Sequence, residues 1–171
     1  VWRSAARITD FSQMEPVDGA PATEQTEVWM TYDSRRLYLA FYAHYSDPRL
    51  IRANRSDRDK IDRDDRMSVY VDTFLDQQRA FMFAVNGYGV QADAMRNASA
   101  GVVSNRAGSS SSTRSGGGTG QGPAQTAEED LSWDALFDTG GSLVEDGWVA
   151  EMAIPFKSLR YPAVADGQSH R

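Results

Sequence analysis

Apolar and polar positions alternate with a period of two along most of this chain, which is the spacing of strands with two unlike faces. The clearest case runs from Thr26 to Ala43. Val28, Met30 and Tyr32 alternate with Trp29 and Thr31, and beyond the turn Asp33-Ser34-Arg35-Arg36 the residues Leu37, Leu39 and Phe41 alternate with Tyr38, Ala40 and Tyr42. A four-residue connection opening on Asp is ordinary hairpin chemistry. Both faces of this hairpin carry apolar or aromatic side chains, which predicts a strand pair inside a sandwich. The stripe Trp29, Tyr38, Tyr42 has the chemistry of a stacking platform for a sugar ring, but large aromatic residues in such strands more often fill a core, and core is the expectation here.

The same period recurs downstream. Met67, Val69 and Val71 oppose Ser68, Tyr70 and Asp72, and Phe81, Phe83 and Val85 share one face of an 80–85 strand. Asn86-Gly87-Tyr88-Gly89 is rich in residues that tolerate positive φ and predicts a turn. The return strand from Val90 to Met95 sets Val90, Ala92 and Ala94 against Gln91, Asp93 and Met95. Leu131 to Phe137 reads as a strand or edge segment, Gly140-Gly141 as a turn, and Leu143-Val144 with Trp148 to Ile154 as a hairpin around Asp146-Gly147. Pro155 then opens a short helical turn, as proline does at a first helical position.

Before the first hairpin, Trp2, Ala5, Ile8 and Phe11 form an apolar lead-in that Pro16, Gly19 and Pro21 interrupt. The segment 98–127 is low in apolar residues and dense in Gly and Ser. It cannot bury enough surface to offset its ordering entropy, so a long disordered loop is expected there. Seven or eight short strands with regular turns and almost no helix predict an all-β fold, an antiparallel β-sandwich of jelly-roll type.

Composition narrows the function classes. The 171 residues suffice for one domain with a real core. Twenty-four acidic against 18 basic residues give a net charge of −6, which argues against a nucleic-acid partner. There is no cysteine, so disulfides and thiolate metal sites are excluded. No apolar run reaches the length of a membrane-spanning helix. The chain opens on Val1-Trp2 and stops at Ser169-His170-Arg171, which reads as a fragment truncated at both ends. Two histidines without a nucleophile motif give no support for serine catalysis or a zinc site. No pair of carboxylates stands out for hydrolysis.

Charge is concentrated in one stretch. Asp57, Asp59, Asp62, Asp64 and Asp65 interleave with Arg58, Lys60, Arg63 and Arg66 just before the 67–73 strand, Asp72 stands near the end of that strand, and Asp76 follows it. Two readings stand side by side: a solvated network of mutual ion pairs, or oxygen ligands for a hard cation such as calcium, with Asp64, Asp65, Asp72 and Asp76 as its ligands. Loop residues that could serve a saccharide are Trp133 and Tyr88 as ring faces and Arg58, Asn86 and Gln91 as planar hydrogen-bonding groups.

An ordered set of residues carries a resemblance. It runs through Trp2 and Ala5, Glu15-Pro16 with Asp18-Gly19, Thr26-Glu27-Val28, Tyr32-Asp33 and Leu37-Tyr38. It continues with Arg58-Asp59, Asp64-Asp65, Val71-Asp72-Thr73-Phe74, Asp76, Phe83, Val85-Asn86, Gly89-Val90-Gln91 and Asp93. It ends in Trp133-Asp134, Asp146-Gly147-Trp148, Glu151-Met152 and Ile154-Pro155-Phe156-Lys157-Ser158-Leu159-Arg160. This set resembles the carbohydrate-binding module family 9-like domain, in the form found at the N-terminus of large bacterial envelope proteins. The resemblance covers the chain apart from the Gly/Ser insertion. It implies a β-sandwich, saccharide binding by tryptophan, structural calcium, and a secreted or cell-envelope setting with a C-terminal domain on the same longer chain. Trp133, near a loop end, is the tryptophan that fits the sugar role here, while Trp148 lies on an apolar strand face and reads as core.

Three functions follow as expectations. The first is a non-catalytic carbohydrate-binding module, serving carbohydrate catabolism through an attached hydrolase. The second is a structural or docking domain of an outer-membrane-associated protein that binds no sugar. The third is a haem-binding sandwich using Met82, Met95 and His44, although methionine in a strand is usually packing.

Overall fold

A computed structural model describes residues 2–97 and 128–162. The Gly/Ser-rich segment 98–127, expected to be a disordered loop, lies outside the described residues. Among the described residues nine strands run in chain order: β1 (Ala6–Ile8), β2 (Thr26–Tyr32), β3 (Arg36–His44), β4 (Arg66–Val71), β5 (Arg79–Asn86), β6 (Gln91–Asn97), β7 (Glu128–Asp130), β8 (Asp138–Val144) and β9 (Gly147–Pro155). They form two antiparallel sheets, five-stranded β1-β2-β3-β9-β8 and four-stranded β4-β5-β6-β7. The expected all-β sandwich is what forms, with three short 3₁₀ turns as the only helix among the described residues.

The core lies between the sheets, where the period-two pattern sends one side-chain row from each strand. The larger sheet contributes Val28, Leu39, Phe41, Ala43, Trp148, Ala150, Met152 and Ile154, and the smaller one Phe81, Phe83 and Val85. Phe83 and Phe137 meet edge to face with ring centroids 5.1 Å apart, the arrangement that suits the ring quadrupoles.

Two local expectations are corrected. Leu131 to Phe137 is irregular, not a strand; it lays Ala135 and Phe137 into the core while Leu131 and Leu136 stay exposed. Gly140-Gly141 is not a turn but the middle of β8, paired with Glu151 and Ala150 of β9. The physical reason is a close approach. A Cβ on Gly141 would sit 2.4 Å from the backbone nitrogen of Gly89, so glycine lets the 86–89 turn rest on β8. Thr139 completes the contact by donating its hydroxyl to the Gly89 carbonyl at 2.7 Å.

The four-stranded sheet is also buried over the β5–β6 part of its outer face, while Ser68 and Tyr70 of β4 stay exposed there. Met82 and Ala84 of β5 with Ala92 and Ala94 of β6 form a second apolar cluster, and the side chain over it is Ile61, which is 0% exposed. Ile61 comes from the acid-rich stretch. The 52–65 segment therefore folds back as a cover across this sheet. It joins β6 through the Asp59 backbone, whose N–H donates to the Gln91 carbonyl at 2.9 Å, and through the Asp59 side chain, whose Oδ1 accepts from Asp93 N–H at 3.2 Å.

Candidate functional site

Among the described residues the five-stranded sheet has no such cover, and its outer face carries the residues with recognition chemistry. Strand register builds this face row by row. The middle row is Arg7, Trp29, Ala40, Glu151, Gly140 across β1, β2, β3, β9 and β8. On one side lies Thr31, Tyr38, Ala153, Asp138, and on the other Glu27, Tyr42, Val149, Ser142. Small residues in the middle of each row leave a floor, and the aromatic ones stand beside it. The result is two adjoining hollows. One of 390 Å³ is lined by Trp29, Tyr42, Ser142 and Val149, the other of 330 Å³ by Trp2, Tyr38, Asp138 and Ala153; Gly140 and Glu151 line both. These volumes fall in the range of small-ligand sites.

The stripe Trp29, Tyr38, Tyr42 is therefore outside the core, against the expectation. The hairpin itself held the reason. The β3 row Leu37, Leu39, Phe41 and Ala43 is uniformly apolar, whereas the phase of the aromatic stripe also carries Glu27, Thr31, Arg36 and His44. A face with charges at its ends belongs to solvent, because burying unpaired charge is costly.

The rings are fixed at their polar ends. Tyr38 donates its hydroxyl to Asp33 Oδ2 at 3.0 Å, and Asp33 is held in turn by the backbone N–H groups of Arg35 and Arg36 at 2.7 and 2.8 Å. Tyr42 donates to Asp146 Oδ1 at 2.5 Å and stacks on His44 at 3.9 Å. His44 Nδ1 lies 3.3 Å from Asp146 Oδ2. The hydrogen bonds to Asp33 and Asp146, then desolvation, hold the Tyr38 and Tyr42 phenols above their ordinary value, so both remain O–H groups. The backbone N–H bonds hold Asp33 below the usual carboxylate range, and the Tyr42 hydroxyl does the same for Asp146. Arg7 pairs with Glu27 at 2.8 Å and lies over the Trp29 ring at 6.0 Å. Trp2, carried in by the first 3₁₀ turn, donates its indole N–H to Glu151 Oε1 at 3.0 Å. Fixed ring faces beside planar acceptors can stack on the C–H side of a pyranose and bind its hydroxyls.

The residues singled out in the loops stand elsewhere. Trp133 is half-buried and spends its ring on Phe81 at 4.8 Å and Phe83 at 5.7 Å. Arg58 and Gln91 do come together, at 3.3 Å, but around an internal group. Arg58 pairs with Asp93, which is 2% exposed, and reaches Asp134 at 2.8 Å and the Ala135 carbonyl at 2.6 Å. Gln91 donates to the Phe137 carbonyl at 2.8 Å. Both fasten the 133–137 segment to β6. Burial pushes the Asp93 carboxyl up, opposed by Arg58 and the Ala135 N–H. Asn86 is fully buried, donating to Asp64 Oδ2 at 2.7 Å and the Asn54 carbonyl at 2.8 Å, and accepting from the N–H groups of Tyr88 and Val90 at 3.0 and 2.9 Å. Tyr88 lies under the Arg55 guanidinium at 4.4 Å.

The four carboxylates read as calcium ligands are not brought together. Asp64 and Asp65 precede β4 and Asp72 and Asp76 follow it, and six strand residues span about 20 Å. Each also has other partners. Asp64 accepts from Asn54 N–H at 3.1 Å and Asn54 Nδ2 at 2.6 Å as well as from Asn86. Asp65 accepts from Arg52 N–H at 2.7 Å. Burial pushes the Tyr45 phenol up to about 12, with a hydrogen bond to Asp65 adding to it. Asp72 accepts from Phe74 and Gln77 N–H at 3.1 and 2.9 Å, and Asp76 from Gln78 and Arg79 N–H at 2.8 and 3.3 Å. No group of three potential metal-ligating side chains forms among the described residues. The haem candidates also diverge. Met82 points to the outer face of the smaller sheet, Met95 packs against the core between the sheets, and His44 lies on the outer face of the larger one.

Comparison with family models gives no match for the chain, and comparison with curated proteins gives none either. The fold and the groove are the ground for a functional reading.

Proposed function

We propose that this protein is a non-catalytic saccharide-binding module whose binding face is the outer surface of the five-stranded sheet. One observation carries the reading: Trp2, Trp29, Tyr38 and Tyr42 stand around a floor of Ala40 and Gly140, with the Glu151 carboxylate between the two hollows. Rigid aromatic faces supply stacking area at low entropic cost, and the carboxylate and tyrosine hydroxyls supply the polar contacts. The resemblance noted above points the same way, and with it the setting of a larger secreted or envelope protein whose other domains act on the bound polymer.

The test is a glycan array followed by calorimetric titration of the best ligand. Trp29→Ala should weaken that ligand about tenfold or more, the loss typical of a central aromatic contact, while Trp133→Ala should act on stability rather than affinity. An array without signal above background sinks the proposal.

A second reading has its own observation. On the inner side of β1 and β2, Ile8, Met30 and Tyr32 remain exposed at 42, 38 and 77% where the smaller sheet does not reach. An apolar overhang of this kind suits a docking role within a longer chain. Protection of these residues from solvent on joining the natural flanking sequence, with no glycan affinity, would favour docking.

A further inference from the structure

The charges around the groove are not balanced evenly, and this bears on which glycans fit. Asp138 at one end is paired with Arg36 at 2.5 Å. Glu27 on β2 is paired with Arg7, and Asp146 is taken up by Tyr42 and His44. Glu151 differs. It lies in the middle row, it is exposed, and among the described residues it has no ion-pair partner; the Trp2 indole N–H on Oε1 is its polar contact. No basic residue lines either hollow among the described residues. An uncompensated carboxylate between aromatic faces combines the two elements that attract a cation, opposite charge and ring quadrupole.

We infer that the groove prefers glycans carrying a free amine, such as 2-amino-2-deoxyhexose polymers, over neutral ones, and rejects uronates and sulfated sugars. The inference rests on the saccharide-binding reading and adds to it the charge class of the ligand. The ammonium group sits against Glu151, with the ring stacked on Trp29 in one hollow or on Trp2 in the other. A uronate in the same place brings its carboxylate to Glu151 with nothing basic lining the hollow to offset the repulsion.

The experiment titrates the full chain with length-matched β-1,4-linked oligomers of glucose, glucosamine, N-acetylglucosamine and glucuronate at mildly acidic pH, where the amine is charged. The amine-bearing oligomer should bind about three- to tenfold more tightly than the neutral ones, the size expected for an exposed charge contact with an aromatic neighbour. The uronate should bind most weakly. Raising the salt should shrink the amine advantage. Glu151→Gln keeps an acceptor for Trp2 and for hydroxyls but removes the charge, so it should bring amine-bearing and neutral oligomers to equal affinity. A role for Glu151 in stability alone would weaken all oligomers together and leave their order unchanged.

Failure of every oligomer, with none on the array, overturns the saccharide reading and this inference with it. Neutral oligomers binding as tightly as amine-bearing ones leaves the saccharide reading standing and overturns the inference. So does a lysine peptide that matches the amino sugar, since the amine alone would then be recognised.

Discussion

The two sheets treat their outer faces in opposite ways. On the four-stranded sheet the β5–β6 part of that face is small and apolar, with Ala84, Ala92 and Ala94 around Met82, and the chain spends fourteen residues, 52–65, on covering it, while exposed Tyr70 and Arg96 lie beyond the cover. On the five-stranded sheet the outer face carries larger, amphipathic side chains, and the described residues leave it open. The difference is one of solvation. A patch of alanines and methionine offers water no hydrogen bonds, so covering it is favourable by about 25 cal/mol per Å². A face of tyrosines, tryptophans and carboxylates already satisfies water at its polar ends, and a cover would have to match each of those groups. Conspicuous charge thus marks the structural element, and the stripe that reads as core marks the open surface.

The contrast can be broken most strongly at Ile61. Removing its side chain empties the contact under the cover, and Ile61→Ala should cost about 2–5 kcal/mol in denaturant unfolding. If Ile61 instead lay in a loose, solvated ion-pair loop, the same substitution would change stability by less than about 0.5 kcal/mol. Next in size is the contact between the sheets at β8. Gly141→Ala puts a methyl group against the Gly89 backbone, which cannot move aside as a flexible side chain would, and should cost about 1–3 kcal/mol. Gly140→Ala is the control one residue away, since a Cβ there meets nothing within 4 Å. It should leave stability nearly unchanged, and it places a methyl group on the groove floor.

Acid provides a milder perturbation of the covered side. Burial raises the Asp64 carboxyl pKa, but hydrogen bonds from Asn86 and Asn54 outweigh it and hold the folded value below the ordinary one. Asp64 therefore contributes stability that is present above its unfolded value of about 3.9 and is lost as pH falls through the lower folded value. Asp93 has the opposite sign. Its folded value is raised by burial, so its contribution grows as pH falls through that value. Thermal midpoints should decline below about pH 4, because Asp33, Asp72 and Asp146 share the sign of Asp64. Asp64→Asn should flatten that decline, and an unchanged slope would contradict the role assigned to its hydrogen bonds.

Much of the fold was legible because it depends on local alternation. The β2–β3 hairpin, the 80–85 strand and the Trp148 face of β9 all follow from period two, and the sandwich follows from their number. What escaped was set by contacts distant in sequence. Gly140-Gly141 has turn composition, and only the nearness of Gly89, some fifty residues earlier, explains Gly141 inside a strand. Ile61 is one apolar residue among nine charged ones between 57 and 66, and a single position has no periodicity to reveal it. The candidate site was partly legible. Trp29, Tyr38 and Tyr42 were recognised as a possible platform, but which face of the hairpin turns inward is decided by its partner sheet. Trp2 and Glu151 could not be joined to them from sequence, since the Trp2–Glu151 hydrogen bond spans 149 positions.

The finest test of the open face is Tyr42→Phe. The phenylalanine keeps the ring that stacks on His44 and lines the larger hollow, and removes only the hydroxyl that ties it to Asp146. That hydrogen bond is solvent-exposed, so its loss should cost no more than about 0.5–1 kcal/mol of stability. Its effect on binding is of a different kind. A ring no longer fixed at its far end must be ordered when a ligand arrives, and immobilising one side chain costs about 0.5–1.5 kcal/mol, or a loss of about two- to tenfold in saccharide affinity. Structural and binding roles then separate on one residue: a groove that depends on rings held in place predicts weaker binding at nearly unchanged stability. If affinity survives Tyr42→Phe intact while Trp29→Ala abolishes it, the Trp29 end of the hollow holds the ligand and Tyr42 only borders it.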